Sequence, residues 1–260
     1  MNSNKLSVIK IGGSTIDDWN KNIGQIDKII SMGNSIVIVH GGGKTVSDWG
    51  SKLGIRPEFV KGLRKTDTKT LEVAIAVLSG LVNSKLVSFL NKSKINSVGI
   101  SGLSGNMIEA EITNKELGLV GEIKTLDTNL IENLIKENYV PVISPIGINH
   151  NSKNEYESIL NINADFVASE VAKNLKANKL IYQTDVDGIR DSNGRIISKM
   201  TLSQAKDLIN SGIVVGGMLP KLESCINSMQ GVDRSHIING SDNSLIEVFK
   251  GNRIGTEIIN

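Results

Sequence analysis

Twice before residue 44 the chain repeats one device, a short β-branched run that ends in glycines. Val8-Ile9-Lys10-Ile11 runs into Gly12-Gly13, and Ser35-Ile36-Val37-Ile38-Val39 runs into His40-Gly41-Gly42-Gly43. Both runs read as buried strands. Helical spacing follows each, with Ile23, Ile26, Ile29 and Ile30 after the first and a stretch from about Thr45 to Leu53 after the second. Strand, loop and helix repeated in this order predict parallel strands whose carboxyl ends share one sheet edge, the edge where such sheets bind ligands. Neither strand needs so many glycines merely to turn. Without a Cβ the backbone can approach an anion closely, and Lys10 adds a compact positive charge, so both loops read as anion-binding. The common phosphate fingerprints are missing: there is no G-x-x-x-x-G-K-[ST], and no G-x-G-x-x-G followed by an acid about 20 residues on. That argues against a P-loop enzyme and a dinucleotide-dependent oxidoreductase.

With 260 residues the chain can bury a sizeable core, as one α/β domain or as two lobes sharing a sheet. Its 29 basic and 27 acidic residues are intermixed, so no block of one sign implies nucleic acid or a membrane surface. Asn2, Ser3 and Asn4 lead straight into the first strand without the pattern of a secretory leader, and no apolar stretch approaches the roughly 18 residues of a membrane span. The single cysteine, Cys225, excludes an intrachain disulfide and reads as a small core residue. A cytoplasmic protein is expected.

Further along, Asp67 reads as the N-cap of a long helix with the apolar stripe Leu71, Ile75, Leu78, Val82, Leu86 and Leu90. Residues 97–100 read as a buried strand. Alternation over 107–112, with 120–123 as partner, predicts an antiparallel hairpin with one wet face, placed as a lid. A helix near 129–137, a strand at 140–144 and a polar loop to about Leu160 follow. After a helix from Asp165 to about Leu175 the pattern restarts with the strand 180–184, which ends at Asp185-Val186-Asp187-Gly188. Asp191-Ser192-Asn193-Gly194 is a tight turn, Thr201 with Gln204 a capping box, and Pro220 opens a helix that carries Lys221. Strands close the chain at 235–238 and 255–258. The lobe boundary falls near Lys176 to Asn178.

Taken one at a time, these residues have ordinary readings too. Lys10 and Lys221 can be solvated charges, Arg64 a surface residue, Asp165 an acid favoured by a helix N-terminus, and Asp185 and Asp187 turn acids. His40 reads as a structural histidine, while His150 and His236 show no partner in the sequence. Together the motifs say more. Lys10-Ile11-Gly12-Gly13, His40-Gly41-Gly42-Gly43, Gly62-Leu63-Arg64 with Thr66-Asp67, Asn161-Ile162-Asn163-Ala164-Asp165, Thr184-Asp185-Val186-Asp187-Gly188 and Gly217-Met218-Leu219-Pro220-Lys221 resemble the amino acid kinase family, in register over almost the whole chain.

The resemblance implies an α/β fold, a three-layer αβα sandwich around a mostly parallel central sheet in two lobes. Residues 1–176 would hold the acyl acceptor and the dimer interface, and residues 177–260 would hold ATP. The implied reaction moves the γ-phosphoryl group of ATP to the γ-carboxylate of N-acetyl-L-glutamate, giving N-acetyl-L-glutamyl 5-phosphate for arginine biosynthesis. By resemblance Lys10 would face the transferring phosphoryl group, Lys221 the leaving ADP, and Asp165 would hold both ammonium groups. Gly12, Gly13 and Gly42 would offer N–H donors to the phosphoryl group and the acceptor carboxylate, and Gly42, Gly43, Arg64 and Asn161 would bind the acceptor, Arg64 as a bidentate clamp on its α-carboxylate. Asp185, Val186, Asp187, Gly188, Ile189 and Arg190, with Ile213, Val214 and Val215, match the nucleotide-binding segments. Mg²⁺ would be held mainly by ATP phosphates and water, so no protein metal ligand is assigned. A first strand starting by about Leu6, without the preceding helix of arginine-inhibited members, implies an arginine-insensitive homodimer. The alternatives are a kinase for aminoadipate or glutamate attached to an amino-group carrier protein, and a nucleotide-binding regulator that has lost catalysis. The acidic carrier would call for a basic rim, and no extra basic cluster lies between Met107 and Leu126; a regulator would tolerate loss of the lysines or glycine loops, and all are present.

Overall fold

The computed structural model describes residues 5–12, 20–60, 62–154, 157–240 and 244–260. The strands β1 (Lys5–Ile11) and β2 (Asn34–His40) flank the helix α1 (Asn20–Ser31), and α2 (Gly43–Lys52) follows the second glycine loop. Two short strands, β3 (Phe59–Val60) and β4 (Leu63–Arg64), pair antiparallel ahead of the long helix. That helix has three parts: α3 (Thr68–Ile75), a π-helical segment (Ala76–Val82) and α4 (Asn83–Lys92). Next come β5 (Ser97–Ser101), β6 (Ile108–Glu111), β7 (Val120–Leu126), α5 (Asn129–Lys136), β8 (Val140–Ser144), β9 (Ile146–Ile148), β10 (Ile159–Ile162) and α6 (Ala164–Asn174). The chain closes with β11 (Lys179–Thr184), β12 (Lys199–Thr201), α7 (Leu202–Asn210), α8 (Met218–Ser228), β13 (Arg234–Asn239), α9 (Ser244–Lys250) and β14 (Thr256–Ile259).

Two compact units result. One joins Met1–Ile38 to Ala168–Asn260, and the other is Val39–Val167. Compactness thus groups β1 and α1 with the carboxyl-terminal residues, whereas a division of the chain near residue 176 groups them with the amino-terminal ones.

In the first unit the strands lie in the order β12-β14-β13-β11-β1. Parallel pairing joins β1 to β11 and β11 to β13, so the carboxyl ends of all three strands meet at one edge. Val8, Ile9, Leu180, Ile181, Tyr182 and Ile237 are fully buried. Near-continuous burial along β1 and β11 is what parallel strands covered on both faces require. The last strand, β14, runs antiparallel to β13 and parallel to β12, an edge that the sequence pattern leaves open.

In the second unit β5 and β8 pair in parallel, and β10-β7-β6-β9 close into a four-stranded barrel. The expected hairpin is present as β6 and β7, with a register shift between Glu109 and Ala110, and it forms half of that barrel. The polar stretch leading to Leu160 is shorter than its composition suggests, because β9 and β10 pair antiparallel on either side of it. In the long helix Leu71, Leu78, Val82, Leu86 and Leu90 are buried as the stripe predicts. Ile75 is only half-buried, and Val77 and Asn83 join the buried face; Asn83 follows the π-helical segment, whose wider turns shift the facing of the residues after it. Residues 68–92 also contain a window long and apolar enough to cross a bilayer, contrary to the expectation from the sequence; 44% of that window is buried, and the apolar side faces the core of the unit.

Local signals held where the sequence placed them. Asp67 accepts the Thr70 backbone N–H at 2.8 Å, and Thr201 and Gln204 form a reciprocal capping box. The 191–194 turn closes with the Gly194 N–H on the Asp191 carbonyl at 3.0 Å.

Candidate active site

The first unit carries one set of site residues on its carboxyl edge. Lys10 lies opposite Tyr182 in the β1–β11 pairing and is only 5% exposed. The Gly12 N–H donates to the Gln183 carbonyl at 3.0 Å, which extends the strand pairing by one bond. That N–H is therefore committed to the sheet and is not offered to a phosphoryl group as the resemblance implies, because extending the β1–β11 pairing uses it. Gly13 lies outside the described residues.

Residues 185–190 leave the end of β11 as a tied loop. Thr184 Oγ1 donates to Asp185 Oδ1 at 3.0 Å, Asn239 Nδ2 donates to Asp187 Oδ1 at 2.8 Å, and Arg190 pairs with Asp187 at 3.5 Å. The Ile189 N–H is held by Thr256 Oγ1 at 2.8 Å. Gly188 has φ 147°, and a Cβ there would stand 2.8 Å from that hydroxyl, so glycine is required on two counts. Val186 is exposed and Ile189 buried; Val214 is also buried between the exposed Ile213 and Val215. Lys221 is half-buried in the first half of α8, where its carbonyl accepts the Ser224 hydroxyl at 2.8 Å. The sequence reading missed Asn239 and Thr256, which hold the loop from strands that follow it by about 50 residues or more.

In the second unit the glycine loop is anchored carbonyl by carbonyl. The Gly41 oxygen lies 2.8 Å from His40 Nδ1, the Gly42 oxygen accepts the Val46 N–H at 2.9 Å, and the Gly43 oxygen accepts Arg64 Nη2 at 2.7 Å. Gly42 adopts φ 150°, and a Cβ there would stand 2.7 Å from Leu78 Cδ2. Arg64 Nη2 also donates to Ser47 Oγ at 2.7 Å, and the guanidinium sits 4.8 Å from the centre of the Phe59 ring. Burial lowers the Arg64 pKa from its ordinary value by desolvation. From Arg64 a chain of bonds continues to Asn161: Thr66 Oγ1 donates to the Arg64 carbonyl at 3.1 Å and accepts Asn161 Nδ2 at 3.2 Å. Gly43, Arg64 and Asn161 are thus brought together through Thr66 of the quoted Thr66-Asp67 motif, with Ser47 and Phe59 as supports that no local pattern announces. Asp165 stands in the first turn of α6, 5% exposed, with its N–H on Asn163 Oδ1 at 2.7 Å.

Chemically, the first edge offers a buried lysine, a glycine at the strand end and a tied acidic loop. The second unit offers a guanidinium beside a glycine loop at a helix start; Gly43 and Ser47 take both Nη2 hydrogens, so Nη1 and Nε face a carboxylate singly instead of as the bidentate fork expected from the resemblance. Among the described residues no three of His, Cys, Asp or Glu converge on a metal position, and Asp187 already faces Asn239 and Arg190. A Mg²⁺ ion that takes its oxygens from phosphates and water fits such an edge.

Comparison with known proteins identifies the family. The acetylglutamate kinase of Campylobacter hominis is 39% identical over 261 residues, covering 98% of this chain and 90% of that protein. The acetylglutamate kinase of Hydrogenobaculum sp. is 41% identical over 269 residues, covering 98% and 91%. Among solved structures, smu.665 from Streptococcus mutans UA159 superposes with a TM-score of 0.85 at 28% identity, covering 98% of both chains. The profile of the amino acid kinase family matches residues 5–239. With its large, mostly parallel sheet and its relatives near 40% identity over nearly their full length, the chain belongs to the amino acid kinase family.

Proposed function

We propose that this protein transfers the γ-phosphoryl group of ATP to the γ-carboxylate of N-acetyl-L-glutamate, yielding N-acetyl-L-glutamyl 5-phosphate in arginine biosynthesis. The observation that carries the reading is the Gly43–Arg64–Thr66–Asn161 chain of hydrogen bonds, a preorganised carboxylate clamp beside a glycine loop. Relatives at 39% and 41% identity over 98% of the chain are acetylglutamate kinases.

A carboxylate acceptor is ionised at neutral pH, so no general base is needed. The work of the protein is positioning and neutralisation of charge. Lys10 neutralises the transferring phosphoryl group, Lys221 the leaving ADP, and Asp165 balances the two ammonium charges. Gly13 offers its N–H to the transferring phosphoryl group, and Gly42 offers its N–H to the phosphoryl group and the acceptor carboxylate. Arg64 binds the α-carboxylate, with Gly43 and Asn161 completing the acceptor site. Asp185 to Arg190 and Ile213 to Val215 hold the nucleotide. Mg²⁺, arriving on the ATP phosphates, supplies further charge neutralisation. Residues 1–176 form the acceptor lobe and residues 177–260 the ATP lobe of a cytoplasmic homodimer.

The test is ATP-dependent acyl phosphate formation, trapped as a hydroxamate, with N-acetyl-L-glutamate set against glutamate, aspartate and N-acetylaspartate. Signal is expected with N-acetyl-L-glutamate, and Lys10→Ala should reduce turnover by about 10²–10³, the cost of one transition-state charge partner. ATP binding without product from any free acceptor would refute this acceptor and move the reading to a carrier-linked one.

A further inference from the structure

The glycine loop of the second unit is held by a relay of side chains whose direction is decided by two backbone carbonyls. Asn83 Nδ2 lies 2.9 Å from the Val142 carbonyl oxygen and 3.1 Å from His40 Nε2, and His40 Nδ1 lies 2.8 Å from the Gly41 carbonyl oxygen. A carbonyl can only accept, so the Asn83 atom facing Val142 is the amide nitrogen. Its second hydrogen then points at His40 Nε2, which must present a lone pair. At the other end the Gly41 carbonyl again can only accept, so Nδ1 carries the ring proton. An imidazolium does not fit, because its Nε2–H would face the Asn83 NH₂. His40 is 0% and Asn83 6% exposed, so a mispaired donor would bear its full desolvation cost.

The fold builds this relay from distant parts. The π-helical segment ends at Val82, and Val82 and Asn83 are buried side by side. Gly99 on β5 supplies the room, since a Cβ there would collide with Asn83 Oδ1. The relay ends on the peptide group between Gly41 and Gly42, which is trans and planar, so holding its C=O against the imidazole aims the Gly42 N–H the opposite way.

We propose that Asn83 is a positioning residue: by locking His40 as the Nδ1–H tautomer it fixes the Gly41–Gly42 peptide and so aims the Gly42 N–H at the acceptor carboxylate. The second half of this statement rests on the acceptor role proposed for Gly42. Neither side chain touches the substrate.

The chain has three histidines, so long-range ¹H–¹⁵N correlation spectra of the full-length protein can resolve each ring, with His150→Gln and His236→Gln spectra leaving His40 assigned. The unmutated protein is expected to show His40 with a proton on Nδ1 and a bare Nε2. In Asn83→Asp the carboxylate can only accept, so the ring proton should move from Nδ1 to Nε2 and release the Gly41 carbonyl, and the KM for N-acetyl-L-glutamate should rise about tenfold while that for ATP stays within about twofold. A bare Nδ1 in the unmutated protein would overturn the relay, and this measurement decides even if the variant does not fold. A moved ring proton with an unchanged acceptor KM, or an equal rise in both KM values, would overturn the aiming role. Failure of the unmutated protein to use N-acetyl-L-glutamate would instead strike the proposed function, while the tautomer still decides the relay.

Discussion

Arg64 shows how a side chain that reads as ordinary in the sequence becomes specific in the fold. Its Nη2 bridges the Gly43 carbonyl and Ser47 Oγ, and Phe59 supports the guanidinium plane, so the donors that remain are presented in a fixed direction. A lysine keeps the charge but loses the planar fork. Arg64→Lys should therefore raise the acceptor KM about tenfold with little change in the KM for ATP, read from steady-state kinetics. An unaltered acceptor KM would remove Arg64 from the clamp. His236 offers a different prediction. It lies buried on β13, and burial pushes its pKa from 6.5 down to about 4, with Lys179 and Arg234 reinforcing the shift and Glu257 opposing it. Between those two values the unfolded chain binds more protons than the folded one, so stability falls as the pH drops through this window and is unaffected above it. The loss amounts to at most about 3 kcal/mol. Urea unfolding at pH 7, 6 and 5 should show that slope in the unmutated protein and a flatter one in His236→Gln; identical slopes would argue that the ring titrates normally.

At the scale of elements, two glycines that look alike in the sequence should respond in opposite ways. Gly24 sits in α1, and nothing lies within 4 Å of the place its Cβ would take, so Gly24→Ala should stabilise by about 0.5–1 kcal/mol through helix propensity. Gly42, with φ 150° and Leu78 in the way, should lose stability and acceptor binding together in Gly42→Ala. Thermal melts of the two variants check the pair, and a stabilised Gly42→Ala would contradict the described loop. The elements that were legible in the sequence are those whose signal is local. The Asp67 cap, the Thr201 capping box and the Asp191 turn are each decided within about four residues, by a side chain that satisfies a nearby backbone group. Less legible were β9, β10 and β12, because strands of three or four residues carry too little periodicity to stand out from a loop.

For the whole molecule, a nucleotide that binds only the folded state must raise its stability. At 100 times its Kd, ATP with Mg²⁺ should add about 2.7 kcal/mol, visible as a rise in Tm by scanning calorimetry. No shift at saturating nucleotide would count against the nucleotide role of the 185–190 and 213–215 loops. Sedimentation equilibrium tests the homodimer in the same way, since a monomer at every concentration would refute it. By itself the sequence determined the parallel α/β character, the two strand ends that carry glycines, the helix caps and the family motifs, because those rest on periodicity and on contacts between near neighbours. Only the tertiary structure decided which residues complete the site. Thr66 meets Asn161 across 95 positions, Asn83 meets His40 across 43, and β1 packs with residues from the far end of the chain. Bonds of that span form only after the backbone has closed long loops, and nothing in the local composition of either partner records which distant group will satisfy it.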